Sequence, residues 1–159
     1  MTLGVRDSAG PARARMIERV TGGFEELPRL AVGAVVLRGR DVLLVKRGKP
    51  PAFRLWAVPG GCVRLGETLL QAAEREVREE TGVEIRATEV AHAFDVIDRD
   101  ESGRVLHHYV VVDVLAEWIA GEPRAADDAL EAGWHELGAL DALPISIETL
   151  RLVRKLTGC

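Results

Sequence analysis

The sequence predicts a single α/β domain, and three observations support this class. Apolar, β-branched runs at residues 30–38 and 41–46 have the composition of strands. A helical pattern at residues 67–81 is followed by two longer strand candidates, residues 84–97 and 104–118. The chain has 159 residues, 47% of them apolar, which is enough for one domain with a substantial core.

The overall composition narrows the kinds of partner that we expect. A formal net charge of -4 argues against general affinity for nucleic acid, because such binding depends on cationic contacts to phosphate. No apolar run is long enough to cross a bilayer, and the N-terminal region lacks the apolar centre of a secretory signal, so we expect a cytoplasmic protein without a membrane partner. Cys62 and Cys159 have no nearby Cys or His, which indicates free thiols rather than a disulfide or a zinc site.

The chain divides into a short extension and one domain. Residues 1–28 are polar, are punctuated by glycine and proline, and contain one short helical candidate at residues 12–20. We therefore interpret residues 1–28 as an N-terminal extension and residues 29–159 as the folded domain. If the protein pairs as a homodimer, this extension is a candidate part of the interface.

The first half of the domain begins with a hairpin. Gly39 and Arg40 separate the first two strand candidates, which predicts an antiparallel pair. Glycine and proline at residues 48–51 require a loop. Residues 54–58 then have the pattern of a short strand, which enters the Pro-Gly-Gly segment at residues 59–61. This segment leads into the helical pattern.

The second half of the domain contains another hairpin and a final strand and helix. A polar turn at residues 99–103 joins the two long strand candidates. Residues 121–128 form a polar loop, residues 130–137 a last strand, and residues 146–156 a helix capped by Ser146. Alternate side chains of the strand at 104–118 face opposite sides, and we expect its apolar side to be core. The apolar set is Leu106, Val110, Val112 and Val114, and the opposite set includes His107, Tyr109 and Asp113.

The helix at residues 67–81 carries a high density of carboxylates, and Gly82 is suited to end it. On a helical wheel, Glu76 and Glu80 fall in or beside the apolar stripe and Glu79 borders it. The remaining acidic residues, Glu67 and Glu74, point elsewhere. A solvated face with i,i+4 ion pairs fits poorly, because Glu76 and Glu80 repel each other at that spacing and buried unpaired charge is costly. A divalent cation such as Mg²⁺ or Mn²⁺, which prefers oxygen ligands, would remove both penalties.

The spacing of these residues resembles the Nudix box. Gly61 is followed after five residues by Glu67 and, after seven more, by Arg75-Glu76-Val77; Glu79-Glu80 and Gly82-Val83 then follow, each after one residue. Nine specified positions with fixed gaps make this a specific signal, although the box covers only about a seventh of the chain.

The resemblance implies an α/β/α sandwich with a mixed sheet and a divalent-metal-dependent hydrolase that acts at phosphorus on a nucleoside diphosphate linked to another group. By similarity to the family, Glu76, Glu79 and Glu80 would bind Mg²⁺ or Mn²⁺ together with the Gly61 carbonyl. Arg75 would orient these carboxylates through charge-assisted hydrogen bonds. The metal would neutralise the diphosphate and lower the pKa of the attacking water.

The general base has several candidates. The Gly-Glu-Pro sequence at residues 121–123 resembles the loop that supplies a glutamate base in MutT-type members, which favours Glu122. Glu76 is a further candidate if the other two helix glutamates hold the metal. A second acidic group lies in a loop region of the kind that often carries catalytic side chains, and it comprises Asp127, Asp128 and Glu131.

The substrate is less closely specified than the metal site. Residues 121–134 resemble small bacterial Nudix enzymes described as ADP-ribose pyrophosphatases, so we expect hydrolysis of ADP-ribose to AMP and ribose 5-phosphate. The alternatives are MutT-like hydrolysis of a nucleoside triphosphate and a non-catalytic Nudix-fold sensor of a nucleotide sugar. Trp56 and Tyr109 are candidates for stacking on a base, and Arg54 is a candidate for holding phosphate. Further candidates of the same kinds are Phe53, Trp134 and Arg47.

Overall fold

The computed structural model describes residues 27–50 and 52–158, which form one mixed sheet flanked by helices. The strands are β1 (Arg29–Arg38), β2 (Asp41–Arg47), β3 (Trp56–Ala57), β4 (Gly60–Cys62), β5 (Glu84–Arg99), β6 (Val105–Ala120) and β7 (Ala129–Glu136). The helices are α1 (Leu69–Thr81), a 3₁₀ helix (Leu137–Ala142) and α2 (Ile147–Thr157), and within the described residues no helix is long and apolar enough to span a bilayer. The predicted helix at 12–20, most of the predicted extension, Pro51 and Cys159 lie outside the described residues.

The sheet has the strand order β3-β2-β1-β6-β5, with β4 also beside β1 and β7 beside β2. β1 pairs with β2 and β5 pairs with β6 in antiparallel register, which confirms both predicted hairpins. β1 and β6 run parallel from the pair Arg29–Tyr109 to the pair Leu37–Glu117. The sheet is therefore mixed.

Each face of the sheet is covered by helix, so the domain has two cores and the predicted α/β/α sandwich is confirmed. The first core joins the sheet to α1 and contains Val32, Ala34, Val36, Leu43, Ala72, Ala73, Val77, Val83, Ala87, Val114 and Ala116. The second core joins the sheet to the 3₁₀ helix and α2, and contains Val35, Val42, Leu44, Trp56, Leu140, Leu152 and Val153. Alternation along β1 places Val35 and Val36 in different cores.

The short strand predicted at residues 54–58 is reduced to the two residues of β3. Ala52 and Arg54 have positive φ angles of 62° and 63°, which an extended strand does not accommodate. Leu55 N donates to Ala52 O at 3.0 Å, so this part of the chain turns before it becomes extended.

The predicted core face of β6 is correct for only part of the strand. Val112 and Val114 are buried, but Leu106 is 50% exposed, so its assignment to the core is wrong. The parallel pairing with β1 starts at Tyr109, and Leu106 lies in the part of the β5–β6 hairpin that extends beyond it. The opposite face of β6 is buried as well: Asp113 is 3% exposed because this side of the sheet faces α2.

Candidate active site

Helix α1 is fixed by a cap at each end. Thr68 accepts a hydrogen bond from Gln71 N, and the Gln71 side chain accepts one from Thr68 N. This reciprocal capping starts the helix at Leu69 rather than at Glu67, where the sequence placed it. Gly82 ends the helix in the left-handed conformation, with a φ of 72°, as predicted. The caps thereby determine which residues share the buried face.

The helical wheel correctly predicts that Glu76 and Glu80 turn toward the sheet, but it is wrong for Glu74, which accepts a hydrogen bond from Ala87 N of β5 at 3.0 Å. Glu76 and Glu80 are 9% and 6% exposed, while the side chain of Glu79 is 36% exposed. Val77, which is fully buried in the first core, lies on the same side of the helix. Two carboxylates are therefore buried beside apolar side chains, and a third lies at the border.

Arg75 connects these carboxylates to the loop before the helix. Its Nε and Nη2 atoms donate to Glu67 at 2.5 and 2.8 Å, which holds the pKa of Glu67 at about 2. Its Nη1 atom donates to Glu76 at 2.5 Å and to Glu79 at 3.0 Å. Nη2 also donates to the carbonyl of Cys62 at 3.1 Å. Arg75 therefore ties α1 to β4 and orients two of the predicted metal ligands.

The glycines of β4 allow the backbone to approach the carboxylates closely. Gly60 N donates to Glu80 Oε2 at 3.0 Å. A Cβ atom at Gly61 would lie 2.5 Å from Glu76 Oε2, so a glycine is required for this carboxylate to reach the strand. Gly61 is itself held in place by its pairing with Val32 of β1.

Glu80 is the most perturbed carboxylate of the site. Burial raises its pKa to about 7, and the negative charges of Glu76 and Asp127 act in the same direction. The N–H of Gly60 and the positive charge of Arg47 act in the opposite direction. Glu80 is therefore a buried carboxylate with two further negative charges nearby, which a cation would compensate.

The available donors fit a hard divalent cation. Oxygen atoms from Gly61, Glu76, Glu79 and Glu80 are the ligand type that Mg²⁺ and Mn²⁺ prefer. In the described chain, no three acidic, His or Cys side chains already share a common ligand position. The reason is that Arg75 holds the carboxylates of Glu76 and Glu79 against its guanidinium. Binding of a metal would therefore involve rotation of these two side chains.

Comparison with known proteins decides the family. A family model for the NUDIX domain matches residues 27–156. This chain belongs to the NUDIX family. The matched region contains the whole sheet, α1 and nearly all of α2.

Individual relatives of this NUDIX chain differ in what they act on. The chain is 35% identical over 123 residues to the ADP-ribose pyrophosphatase of Methanocaldococcus jannaschii, covering 77% of the chain and 70% of that relative. It is 33% identical over 127 residues to the NAD-capped RNA hydrolase NudC of Pseudomonas aeruginosa, but it spans only 42% of that protein's length. The crystal structure of a MutT NUDIX hydrolase from Burkholderia pseudomallei has a TM-score of 0.70 and 33% identity, covering 82% of this chain and 99% of that one.

Most of the acidic candidates for the NUDIX general base are already engaged in ion pairs. These pairs are Glu122 with Arg38 at 2.7 Å, Asp128 with Lys49 at 2.6 Å and Glu131 with Lys46 at 2.8 Å. The carboxylate of Asp127 makes no hydrogen bond or ion pair with another described residue, and its charge raises the pKa of both Glu80 and Lys49. The structure therefore places the charge of Asp127 near the α1 carboxylates.

The predicted substrate-binding residues lie in three separate places in the NUDIX fold. Trp56 is 7% exposed and packs inside the second core. Arg54 is exposed in the loop before β3, and its guanidinium carbon lies 5.4 Å from the ring centroid of Phe53. Tyr109 is half-buried on the face of β6 turned away from α1, and Arg29 lies 5.9 Å from its ring. Trp56 and Tyr109 therefore lie on the other side of the sheet from the carboxylates of α1. In contrast, Arg54 N donates at 2.8 Å to the carbonyl of Arg47, whose charge acts on Glu80.

The positions of two other charged residues were not predicted from the sequence. Arg64 Nη2 donates to both carboxylate oxygens of Glu79, at 3.2 and 3.3 Å. The sequence feature that could have indicated this contact is a cationic residue within the loop of the NUDIX box. Asp113 is buried opposite Gly33, where an added Cβ atom would overlap its carboxylate. The signal for Asp113 was a charged residue that interrupts the apolar run of β6.

Proposed function

We propose that this NUDIX protein is a divalent-metal-dependent pyrophosphohydrolase that cleaves ADP-ribose to AMP and ribose 5-phosphate. The observation that carries the proposal is the buried pair Glu76 and Glu80 on α1, placed against the glycines of β4 with Arg75 beside them. The choice of ADP-ribose is supported by the similarity to the M. jannaschii pyrophosphatase, which the chain matches over most of its length.

In this proposal, Gly61, Glu76, Glu79 and Glu80 hold the metal ion. When bound, Mg²⁺ or Mn²⁺ neutralises charge on the diphosphate and lowers the pKa of the attacking water. Arg75 holds the carboxylates of Glu76 and Glu79 beside each other until they turn to the ion, and such supporting residues commonly matter about 10- to 100-fold for metal affinity or activity. The side chain of Glu80 is itself shielded from bulk solvent.

A nucleoside triphosphate is the second candidate substrate. The similarity to the MutT NUDIX hydrolase of B. pseudomallei favours it, because that relative is matched over nearly its whole length. Hydrolysis would then yield a nucleoside monophosphate and pyrophosphate. A non-catalytic sensor of a nucleotide sugar is a third possibility, which the intact NUDIX box disfavours.

The test is turnover with Mg²⁺ on a panel of ADP-ribose, NADH, diadenosine polyphosphates and all nucleoside triphosphates. We expect ADP-ribose to have the highest kcat/KM and to give AMP and ribose 5-phosphate in equal amounts. A triphosphate with the highest kcat/KM would replace ADP-ribose by the second candidate. Binding of ADP-ribose without turnover of any compound would establish that the protein is a non-catalytic sensor and would exclude hydrolysis.

The matched variants Glu80→Gln and Glu74→Gln test the metal site on one helix. Glu74 accepts a hydrogen bond from Ala87 N at 3.0 Å, and glutamine keeps the accepting oxygen. We expect Glu80→Gln to lower both kcat and Mn²⁺ affinity by at least about 100-fold, the upper end of the range for residues that only support metal ligands. We expect Glu74→Gln to behave like the wild type. Full activity and full Mn²⁺ binding in folded Glu80→Gln would show that Glu80 is not a ligand.

A further inference from the structure

The acidic loop, residues 121–128, lies along the last turn of α1. Ala126 N donates to Glu80 O at 2.9 Å, and Arg124 N donates at the same distance to the next carbonyl of the helix. Carbonyl groups at the end of a helix have no partner within it, so these bonds satisfy them and fix the loop against α1. Asp127 therefore follows directly after the residue that is bonded to Glu80.

Glu122, near the start of the acidic loop, is engaged by Arg38. Arg38 Nη1 lies 2.7 Å from Glu122 Oε1. The Arg38 guanidinium carbon lies 4.2 Å from the ring centroid of Trp134 and 5.4 Å from that of Trp118. Trp118 Nε1 also donates to Gly121 O at 3.0 Å. Two aromatic rings and one carboxylate thus hold Arg38, and the same contacts hold the start of the loop.

The position of Arg38 on β1 separates Glu122 from the carboxylate of Glu80. Gly60, whose N–H binds Glu80, pairs with Gly33 of β1. Arg38 is five residues further along β1, and five residues of extended strand span about 17 Å. While Glu122 is bonded to Arg38, its carboxylate is tied to a residue whose backbone lies about 17 Å along β1 from the pair where Glu80 meets β4.

The far end of the acidic loop is fixed by Gly48 and Lys49. Gly48 N donates to Asp128 O at 2.9 Å, and an added Cβ atom at Gly48 would overlap that oxygen. Lys49 forms an ion pair with the Asp128 carboxylate at 2.6 Å. Asp127 lies between the two fixed ends, in the left-handed conformation with a φ of 51°, and its charge acts on Glu80. It is the acidic residue of the loop that remains available to a ligand at α1.

We propose that Asp127, rather than Glu122, is the carboxylate through which the acidic loop takes part in hydrolysis, and that Arg38 positions it through Glu122. This inference rests on the proposed function. Asp127 accepts a proton from the attacking water as the water oxygen bonds to phosphorus. The bond between phosphorus and the bridging oxygen breaks, and the leaving phosphate departs as an anion. Arg38 is a positioning residue, because it acts through the loop.

The amide variants Asp127→Asn, Glu122→Gln and Asp128→Asn compare the three carboxylates, with ADP-ribose and Mg²⁺ as the probe. We expect Asp127→Asn to lower kcat at least about 100-fold with KM unchanged, as loss of a general base does. We expect smaller losses in Glu122→Gln and Asp128→Asn, because these two carboxylates act only by holding the loop. Wild-type kcat in Asp127→Asn, or an equal loss in Glu122→Gln, would overturn this inference alone. A wild-type protein inactive on the whole panel would overturn the proposed function and this inference together.

Paramagnetic broadening by Mn²⁺ gives a readout that does not depend on turnover. With Mn²⁺ bound to the full chain, we expect the amide resonance of Asp127 to broaden more strongly than that of Glu122. Loss of the broadening at Asp127 and at Glu122 in Glu80→Gln would show that the ion is bound at α1. Stronger broadening at Glu122 than at Asp127 would overturn the assignment.

The positioning role of Arg38 is tested with Arg38→Met and Arg38→Lys. We expect Arg38→Met to lower kcat about 10-fold at constant KM, a typical effect for a residue that supports a site. In the same metal-free variant, hydrogen exchange at the amides of Arg124 and Ala126 should accelerate. Arg38→Lys keeps the ion pair with Glu122, so it should restore part of kcat and part of the protection from hydrogen exchange. Unchanged kcat and unchanged exchange in Arg38→Met would show that Arg38 does not position the loop.

Discussion

Arg75 and Asp113 show two opposite ways in which a charged residue is buried in this protein. Arg75 is 9% exposed and donates to the carboxylates of Glu67, Glu76 and Glu79, so its charge is compensated. Asp113 is 3% exposed, and its side chain makes no hydrogen bond or ion pair with another described residue. The negative charge of Asp113 therefore lowers the stability of the folded state. Different effects are expected when each of the two residues is replaced.

Replacement of Arg75 by lysine should weaken metal binding although the charge is kept. A lysine ammonium cannot reproduce the planar fork that serves three carboxylates at once. We expect Arg75→Lys to lower Mn²⁺ affinity about 10- to 100-fold, measured by electron paramagnetic resonance. Arg78 is exposed on the same helix, and Arg78→Lys is the control that should bind like the wild type. Equal Mn²⁺ affinity in both variants would argue against an orienting role for Arg75.

Asp113 should make the protein less stable as the pH rises from about 4 to above 6. Burial raises the pKa of Asp113 from 3.8 to about 6, so the folded state holds its proton more tightly than the unfolded state does. The stabilising contribution is complete below the unfolded pKa and is lost as the pH rises through the folded pKa. The difference between 3.8 and about 6 corresponds to about 3 kcal/mol in the free energy of unfolding.

The variant Asp113→Asn should remove this pH dependence. We expect its free energy of unfolding to exceed that of the wild type increasingly between pH 4 and pH 7, by up to about 3 kcal/mol. Urea denaturation at four pH values measures the difference, and exposed Glu101→Gln is the control. A constant difference across this range would show that Asp113 does not titrate as its burial indicates.

The sequence was informative for residues whose environment depends on their own helix. The burial of Glu76 and Glu80 follows from the 3.6-residue period and their spacing from Val77, and the structure agrees. The burial of Asp113 depends on which helix covers the second face of the sheet, and the contact between Arg38 and Glu122 joins residues 84 positions apart. Local periodicity contains no information about such distant partners.

At the scale of elements, helix α1 depends on its first turn. The reciprocal bonds of Thr68 and Gln71 satisfy backbone groups that otherwise have no partner at a helix start. The same effect explains why the helix starts later than its apolar and acidic pattern predicted. Strand bounds were less predictable for a similar reason, because the turn before β3 is set by the positive φ angles of Ala52 and Arg54.

Removal of the cap should destabilise the protein by a predictable amount. We expect Thr68→Ala to lower the free energy of unfolding by about 1 kcal/mol, since the side chain no longer accepts from Gln71 N. Thr68→Ser retains the hydroxyl group and should remain close to the wild type. Urea denaturation measures both, and equal losses in the two variants would assign the effect to the methyl group instead.

At the scale of the whole molecule, β1 and β2 connect the two cores. Val35 and Val36 of β1 belong to different cores, as do Leu43 and Leu44 of β2. A strand that loses its packing on one face is left with half of its buried contacts, so the two cores should unfold together. Trp56 lies in the second core and Trp134 packs against the first, which provides a fluorescent reporter on each face.

Truncation of Leu152 in the second core should therefore also lower the denaturation midpoint measured in the first core. Leu152 is 4% exposed, and we expect Leu152→Ala to cost about 2–5 kcal/mol. The fall in the midpoint of urea denaturation should be the same whether Trp56 or Trp134 is the single fluorescent reporter. The control is Leu65→Ala, because Leu65 is fully exposed and its truncation should change little. Separate midpoints at the two tryptophans would show that the cores unfold independently.

The strand β5 forms one border of the sheet, and its outer side has no partner strand among the described residues. A long strand with open N–H and C=O groups is a template on which other chains can polymerise. The pairing of β5 with β6 shifts register at four places, and exposed charges such as Glu84, Glu89 and Asp95 lie along the strand. Register shifts bend and twist a strand, so its border is a poor match for a second straight strand. The irregularity of this hairpin therefore protects the protein against fibrous aggregation.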